Sequence, residues 1–367
     1  MSDAGPIILV VGARPNFMKI APIHFALKQC GESQVLLHTG QHYDENMSKV
    51  FFDDLGLPEP DIYLGVGSSS HSIQTAEIMV EFEKICQELQ PRLVVVVGDV
   101  NSTLACTLVA SKMQITTAHV EAGLRSGDMR MPEEVNRKVT DALSDILFTT
   151  SEMANNNLIS EGRKEEDIFF VGNVMIDSLK NNLSRVEESK IFGKLKVERG
   201  SYGVLTLHRP SNVDESEVFK GIISSLEKIC EHVKIVFPMH PRTKKRAIEF
   251  GLIQQLEENP RMIVTEPLGY LDFIALTSNS ALVLTDSGGL QEETTALGIP
   301  CITIRENTER PITVKIGTNK LVGCDPEKIF SAAIESLNSG NMDHKIPEKW
   351  DGKTAQRIAE VLSSRGV

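Results

Sequence analysis

The chain has 367 residues, 41% of them apolar and 24% charged, which excludes a disordered chain, since disorder needs low hydrophobicity with high net charge. At about 150 residues per domain the length suggests two domains. The 38 basic and 50 acidic residues leave a net charge of −12, the wrong sign for a nucleic-acid binder, and no window approaches the ~18 consecutive apolar residues of a membrane span.

In chain order, the first apolar run is Ile7–Val11. It is strand length, with no basic flank and no small-residue cleavage site. It therefore reads as a first strand rather than a signal peptide, and the scattered cysteines, Cys30 to Cys324, read as those of a cytoplasmic protein. Similar runs occur at Gln34–His38, Leu93–Val97, Thr116–Val120, Ile146–Thr149 and Ile168–Val171. A second set lies at Gly203–Leu207, Lys234–Pro238, Met262–Thr265, Ala281–Leu284 and Cys301–Ile304. Most are continuously apolar, as strands covered by helices on both faces are. Helix-length amphipathic segments separate them, which predicts an α/β fold of parallel sheets built from βαβ units.

Two sheets fit the length. The break is expected near Gly172-Asn173, because 177–200 is polar and helix-prone and a new strand starts after Gly200. That gives domains 1–172 and 173–353, with the cleft between them as the expected site. The six cysteines, Cys30, Cys86, Cys106, Cys230, Cys301 and Cys324, have no CxxC spacing and mostly apolar neighbours. They read as reduced structural thiols.

The informative regularity lies at the carboxyl end of each strand. Gly12-Ala-Arg14-Pro-Asn comes after Ile7–Val11, Gly40-Gln41-His42 after Gln34–His38 and Gly98-Asp99 after Leu93–Val97. Glu121-Ala-Gly123-Leu-Arg125 comes after Thr116–Val120. His208-Arg209, His240-Pro241 and Asp286-Ser287-Gly288-Gly289 end three strands of the second set. In open α/β sheets ligands bind outside the carboxyl ends of the strands. Seven such junctions in one chain place a site at those edges.

Several groups there carry chemistry. Ser287 is an expected N-cap for the helix beginning Gly288-Gly289-Leu290, and free N–H groups and a positive dipole end make that helix start a diphosphate cradle. The alternative is an ordinary capped turn. Glu293, one turn in, can bind ribose hydroxyls. Arg14 can act as a bidentate phosphate ligand or be a surface arginine, and Lys19 lies one turn beyond it. Asp99, Glu121, Glu133 and Glu134 supply carboxylates for general acid and base work, although Glu133 and Glu134 can equally compensate a helix dipole. His208 is a proton-transfer or phosphate-binding candidate beside Arg209 and His240. GxxxxGK[ST], GxGxxG, HExxH, DxD and GxSxG are all absent from the sequence. P-loop, dinucleotide and serine-hydrolase chemistry are therefore not expected, nor is a metal or another cofactor.

Taken together and in order, these pieces resemble the non-hydrolysing UDP-N-acetylglucosamine 2-epimerases. The resemblance rests on Gly12-Ala-Arg14-Pro15, Gly40-Gln41-His42, Gly98-Asp99 and His119-Val-Glu121-Ala-Gly-Leu-Arg125. It continues through Pro132-Glu133-Glu134-Val-Asn136-Arg137, His208-Arg209, His240-Pro241, Asp286-Ser287-Gly288-Gly289-Leu-Gln-Glu292-Glu293 and Arg305-Glu-Asn-Thr308-Glu309-Arg310-Pro311. Hydrolysing relatives typically carry an arginine after the strand-end aspartate, where this chain has Val100. Asn16 stands where the family often has glutamate.

The resemblance implies a GT-B fold, two Rossmann-like domains with parallel sheets facing across a cleft, with the last helix, about 354–367, returning to the first domain. It implies a homodimer acting on a UDP-sugar in cell-surface polysaccharide biosynthesis. The implied reaction is reversible C2 epimerisation of UDP-GlcNAc to UDP-ManNAc by anti elimination of UDP. That step gives 2-acetamidoglucal, to which UDP then re-adds. Asp99, Glu121, Glu133 and His208 would be catalytic. Arg14, Lys19, Arg137, Arg209, His240, Phe273, Ser287, Gly288, Gly289, Glu293 and Arg310 would bind the UDP-sugar, with Phe273 on the uracil. Gln41 and His42 are candidates for the second, activating UDP-GlcNAc of some bacterial members. The competing readings are the same chemistry on a modified sugar, a UDP-diacetamido-uronic acid or 6-deoxysugar, or an inactive sugar-nucleotide sensor.

Overall fold

The computed structural model describes residues 5–41, 52, 54–339 and 344–366, without the Arg14 side chain. The elements alternate. In order they are β1 Ile7–Val11, α1 Arg14–Gln29, β2 Gln34–His38, β3 Ile62–Tyr63, α2 His71–Leu89, β4 Leu93–Val97, α3 Asn101–Lys112 and β5 Thr116–Ala122. Next come α4 Pro132–Leu143, β6 Ile146–Thr149, α5 Glu152–Ser160, β7 Ile168–Phe170 and α6 Val174–Val186. After these are α7 Ile191–Leu195, β8 Tyr202–Thr206, α8 Pro210–Val213, α9 Ser216–Cys230, β9 Lys234–Pro238, α10 Pro241–Glu249, α11 Ile253–Glu258 and β10 Met262–Thr265. The chain ends with α12 Tyr270–Ser278, β11 Leu282–Thr285, α13 Gly288–Leu297, β12 Cys301–Thr303, α14 Pro311–Lys315, β13 Asn319–Leu321, α15 Pro326–Asn338 and α16 Thr354–Ser364.

The strands form two parallel sheets. The first has the order β3-β2-β1-β4-β5-β6-β7 and the second β10-β9-β8-β11-β12-β13. Each order reverses once, between β1 and β4 and between β8 and β11. These are the topological switch points, where ligands bind in doubly wound sheets. The continuous apolar runs are explained by burial on both faces: every residue of β1 and β4 is buried. The first sheet packs Ile8, Val94 and Val96 against Phe82 and Cys106. The second packs Leu205, Ile235 and Leu284 against Phe219 and Leu226. Full burial of one such aliphatic side chain contributes about 1.5–3 kcal/mol. Two strands escaped the apolar pattern. β3 is two residues long and partly exposed, and β13, Asn319-Lys320-Leu321, is a polar edge strand.

The chain divides into two compact units, Met1–Asn181 with Glu348–Val367, and Asn182–Pro347. The first division therefore falls nine residues later than the expected 172. Val174, Met175, Ile176 and Leu179 are buried, and Ser178 Oγ donates to the Met18 carbonyl. The return comes at 348 rather than 354. Lys349 Nζ already donates to the Phe170 carbonyl at 2.9 Å and Trp350 Nε1 to that of Thr150 at 3.0 Å. α16 then packs on α1. No described helix is long and apolar enough to cross a membrane.

Candidate active site

In the first unit the site residues lie at the carboxyl ends of β1, β4 and β5. Gly98 turns the chain out of β4 with φ +69, a left-handed conformation that favours glycine, and a Cβ there would also displace Lys19 Nζ. Asp99 is next in the chain. Its Oδ2 accepts from Arg137 Nη1 at 2.5 Å and its carbonyl from Asn136 Nδ2 at 2.9 Å. Glu121 sits where the β5–β6 register slips between Val120 and Ala122. Its φ of +76 is left-handed for a non-glycine residue, a strain that neighbouring contacts must hold. Its carboxylate pairs with Lys19, both side chains being buried.

Glu133 is half-buried in the first turn of α4 and has no ion-pair partner among the described residues. Glu134 beside it is fully buried. It accepts from the Ser126 and Gly127 amides, both at 3.0 Å, and from Arg137 Nη2 at 2.6 Å. Burial opposes its ionisation, but the Ser126 amide and Arg137 outweigh it and hold the carboxyl below its usual range. Lys19 and Arg137, expected at the substrate, thus lie against the carboxylates.

Asn16 occupies both sides of a joint. Its Oδ1 accepts from the Gly12 and Ala13 amides at 3.2 and 3.0 Å, and its Nδ2 donates to the Val97 carbonyl at 3.0 Å. It ties the end of β1 to the end of β4. Gln41 is buried, with Oε1 accepting from the Ser102 amide at 3.0 Å and hydroxyl at 2.7 Å. His42 lies outside the described residues. Arg14 opens α1, and its side chain is outside them too.

In the second unit the residues gather at the ends of β8 and β11. Asp286 is fully buried. It accepts from the His208 and Arg209 amides, both at 2.9 Å, and from Asn212 Nδ2 at 3.1 Å. His208 Nδ1 lies 2.9 Å from Asp286 Oδ1, while the ring stays 41% exposed. Burial opposes ionisation of Asp286, but His208 and the two amides outweigh it and keep the carboxyl below its usual range. The His240 ring lies 5.7 Å from that of His208, and its Nδ1 accepts from the Arg242 amide at 3.2 Å.

Ser287 stands at the N-cap position of α13 but its side chain makes no capping bond, contrary to expectation. A serine there normally accepts from N2 or N3, and without that bond the first amides of α13 stay open. Gly288 lets two side chains pack close to them, because a Cβ there would displace the Arg310 guanidinium and the Glu309 carboxylate. Arg310 is itself buried, with Nε 3.0 Å from Glu292 and Nη1 2.5 Å from Glu309. Arg305 and, at 3.8 Å, Arg209 also reach Glu309. Burial, then Glu292, push the Glu293 carboxyl up to about 8. Phe273 is half-buried on α12.

The first edge therefore joins carboxylates anchored by buried cations, Asp99, Glu121 and Glu134, to Glu133, which has no such partner among the described residues, an arrangement suited to proton transfer. The second joins open helix amides to His208 and Arg209, an arrangement suited to an anion. Among the described residues no cluster of three or more His, Cys, Asp or Glu side chains is placed to hold a metal ion. Sequence reasoning missed Asp141 and assigned no role to His119, Asn136 or Asp286. The spacing Glu134, Arg137, Asp141 puts three charges on one face of α4, a signal that was present in the sequence.

A family model described as UDP-N-acetylglucosamine 2-epimerase matches residues 26–363. A Methanocaldococcus jannaschii protein named UDP-N-acetylglucosamine 2-epimerase is 45% identical over 360 residues, 97% of this chain and 98% of its own. A Pseudomonas aeruginosa protein named UDP-2,3-diacetamido-2,3-dideoxy-D-glucuronate 2-epimerase is 40% identical over 361 residues, 97% of this chain and 99% of its own. Among solved structures, the M. jannaschii UDP-GlcNAc 2-epimerase in complex with UDP-GlcNAc and UDP aligns with a TM-score of 0.92 at 44% identity. That alignment covers 98% of this chain and 99% of the other. The two parallel-sheet α/β units are of the GT-B fold class.

Proposed function

The chain belongs to the UDP-N-acetylglucosamine 2-epimerase family and is an isomerase, and on that premise we propose that it interconverts UDP-GlcNAc and UDP-ManNAc. The C2 proton of the sugar has no conjugated carbonyl and is not acidic, so a free carbanion at C2 is inaccessible. Elimination avoids it. A base takes the C2 proton as the C1–O bond breaks, the electron pair leaves with UDP, and 2-acetamidoglucal remains. Protonation of C2 on the opposite face, with return of the UDP oxygen to C1, gives the epimer.

The first edge supplies the proton transfer through Asp99, Glu121 and Glu133, with Lys19 and Arg137 fixing the first two. The second edge holds the diphosphate. The amides of Gly288 and Gly289, at the positive end of α13, stabilise charge as it develops on UDP. His208, Arg209 and His240 assist there, Arg310 supports the cradle, and Arg14 is assigned to the diphosphate by the family resemblance alone. Glu293 takes the ribose hydroxyls and Phe273 the uracil. The carboxylate set around Asp99 is the observation that carries this reading, because a protein that only bound UDP would have no use for it. The finer reading is a cytoplasmic homodimer serving cell-surface polysaccharide synthesis.

The test is proton NMR of UDP-GlcNAc with the protein in D2O. Deuterium at C2 together with UDP-ManNAc is expected; absence of both while UDP binds would sink the proposal, and absence with the modified sugar nucleotide as well would leave a sensor. Asp99→Asn is expected to keep UDP affinity and lose about 10²–10⁴-fold in exchange; exchange at the wild-type rate would remove Asp99 from the mechanism. A second reading, with UDP-2,3-diacetamido-2,3-dideoxy-D-glucuronate as substrate, is supported by the name of the 40% identical relative. The same assay with that sugar nucleotide decides between them.

A further inference from the structure

One buried pair of the first unit takes no part in the proton transfer itself. His119 lies on β5 opposite Val96 of β4, and neither its side chain nor that of Asp141 is accessible. Its Nδ1 is 2.6 Å from Asp141 Oδ1 and its Nε2 is 2.8 Å from the Gly98 carbonyl oxygen. Each ring nitrogen thus faces an oxygen acceptor, and each bond calls for a hydrogen on that nitrogen. Asp141 is itself fixed, its other oxygen accepting from the Gly123 amide at 3.0 Å and Arg125 Nη1 at 2.7 Å. The pair is costly to bury, and nothing about strand β5 needs a histidine in its core.

The Gly98 carbonyl is the useful end. A peptide unit is planar, so the carbonyl of Gly98 and the amide and Cα of Asp99 move as one plate. Gly98 has left the strand, with φ +69, and His119 Nε2 takes hold of that plate from below. Asn136 holds the next carbonyl and Arg137 the side chain. All three holds trace to α4, His119 through Asp141 on its last turn.

We propose that His119, braced by Asp141, is a positioning residue for Asp99, acting through the Gly98–Asp99 peptide plane. This rests on the proposed role of Asp99. Glutamine places its amide nitrogen near Nε2, and asparagine places it near Nδ1. H119Q therefore keeps the hold on Gly98 and H119N keeps only the bond to Asp141. In C2 exchange, H119Q is expected near the wild-type rate. H119N should lose roughly tenfold to a hundredfold in kcat, as a small misplacement of a reacting group does, with KM and UDP affinity unchanged. A residue that merely anchored α4 through Asp141 would give the reverse order. H119N as active as wild type, or H119Q the more impaired, overturns the proposal.

A readout independent of activity separates this from the reading it rests on. The Asp99 carboxyl carbon resonance, assigned by its loss in Asp99→Asn, should move in H119N and stay in H119Q even if the wild type exchanges no C2 proton. Its staying put in both variants overturns the positioning role. Should H119N fail to fold, ring ¹⁵N spectra of the wild type decide: a hydrogen-bonded N–H on Nε2 is expected, and a bare Nε2 overturns the proposal.

Discussion

Glu293 is a residue whose environment sets a measurable stability. Burial, and then Glu292, raise its carboxyl from 4.5 to about 8. A group raised in the folded state contributes stability that is intact below its unfolded value and is lost as pH climbs through the folded one. Its contribution is therefore full below about pH 4.5 and gone above about pH 8. Glu293→Gln should melt with the wild type near the acid limit and above it at alkaline pH, by about 2–4 °C for each kcal/mol relieved; parallel melting curves across that range would refute the assignment. Lys19 and Glu121 form a second case. Removing one member of a buried ion pair strands the other, at about 3–5 kcal/mol. Lys19→Met should cost that much in urea unfolding, and Lys19→Met with Glu121→Gln should recover most of it. Asp99, Glu121 and His208 were legible because a charged residue straight after an apolar run has one place to be. Their partners were not. Lys19, on α1, lies 102 residues from Glu121, and β4 stands between β1 and β5 in the sheet, so only the assembled sheet and its covering helix bring the two together.

At the scale of elements, α4 shows why a helix resists reading from sequence. Its charged residues look like a solvated face, yet Glu134, Arg137 and Asp141 are all buried. The exposed positions include Val135. Which face turns inward was decided by its partners: the Ser126 and Gly127 amides donate to Glu134, His119 of β5 pairs with Asp141, and Asp99 beyond β4 accepts from Arg137. The closing helix α16 is held similarly: Asp177 Oδ2 accepts from the Ala355 amide at 2.7 Å. Burial raises the Asp177 carboxyl, and the Ala355 and Thr354 amides offset part of that. Asp177→Ala leaves the first amides of α16 without this acceptor, which should cost about 1–3 kcal/mol. Hydrogen exchange should accelerate in 354–364 and not in α9. Uniform acceleration would mean that Asp177 holds more than this helix.

For the whole molecule, two units with separate cores need not unfold together. The chain has one tryptophan, Trp350, buried in the first unit. Its fluorescence should report that unit alone, while far-UV circular dichroism reports both, so the two denaturation curves are expected to differ in midpoint. Coincident curves would show the units to be coupled. The net charge of −12 has the wrong sign for a nucleic-acid binder but does not bear on a small anionic ligand, since open amides and local cations act over a few ångströms while exposed charges are screened over about 8 Å. By itself the sequence determined the alternation of strands and helices, the two parallel sheets and the strand edge at which the candidate site residues gather, because these follow from local periodicity and from glycine and charge at strand ends. Only the tertiary structure decided which cation clamps which carboxylate, where the chain passes between units, and that His119, held by Asp141, reaches Gly98. Those depend on side chains far apart in sequence competing for the same buried donors and acceptors, and no local pattern records the outcome of that competition.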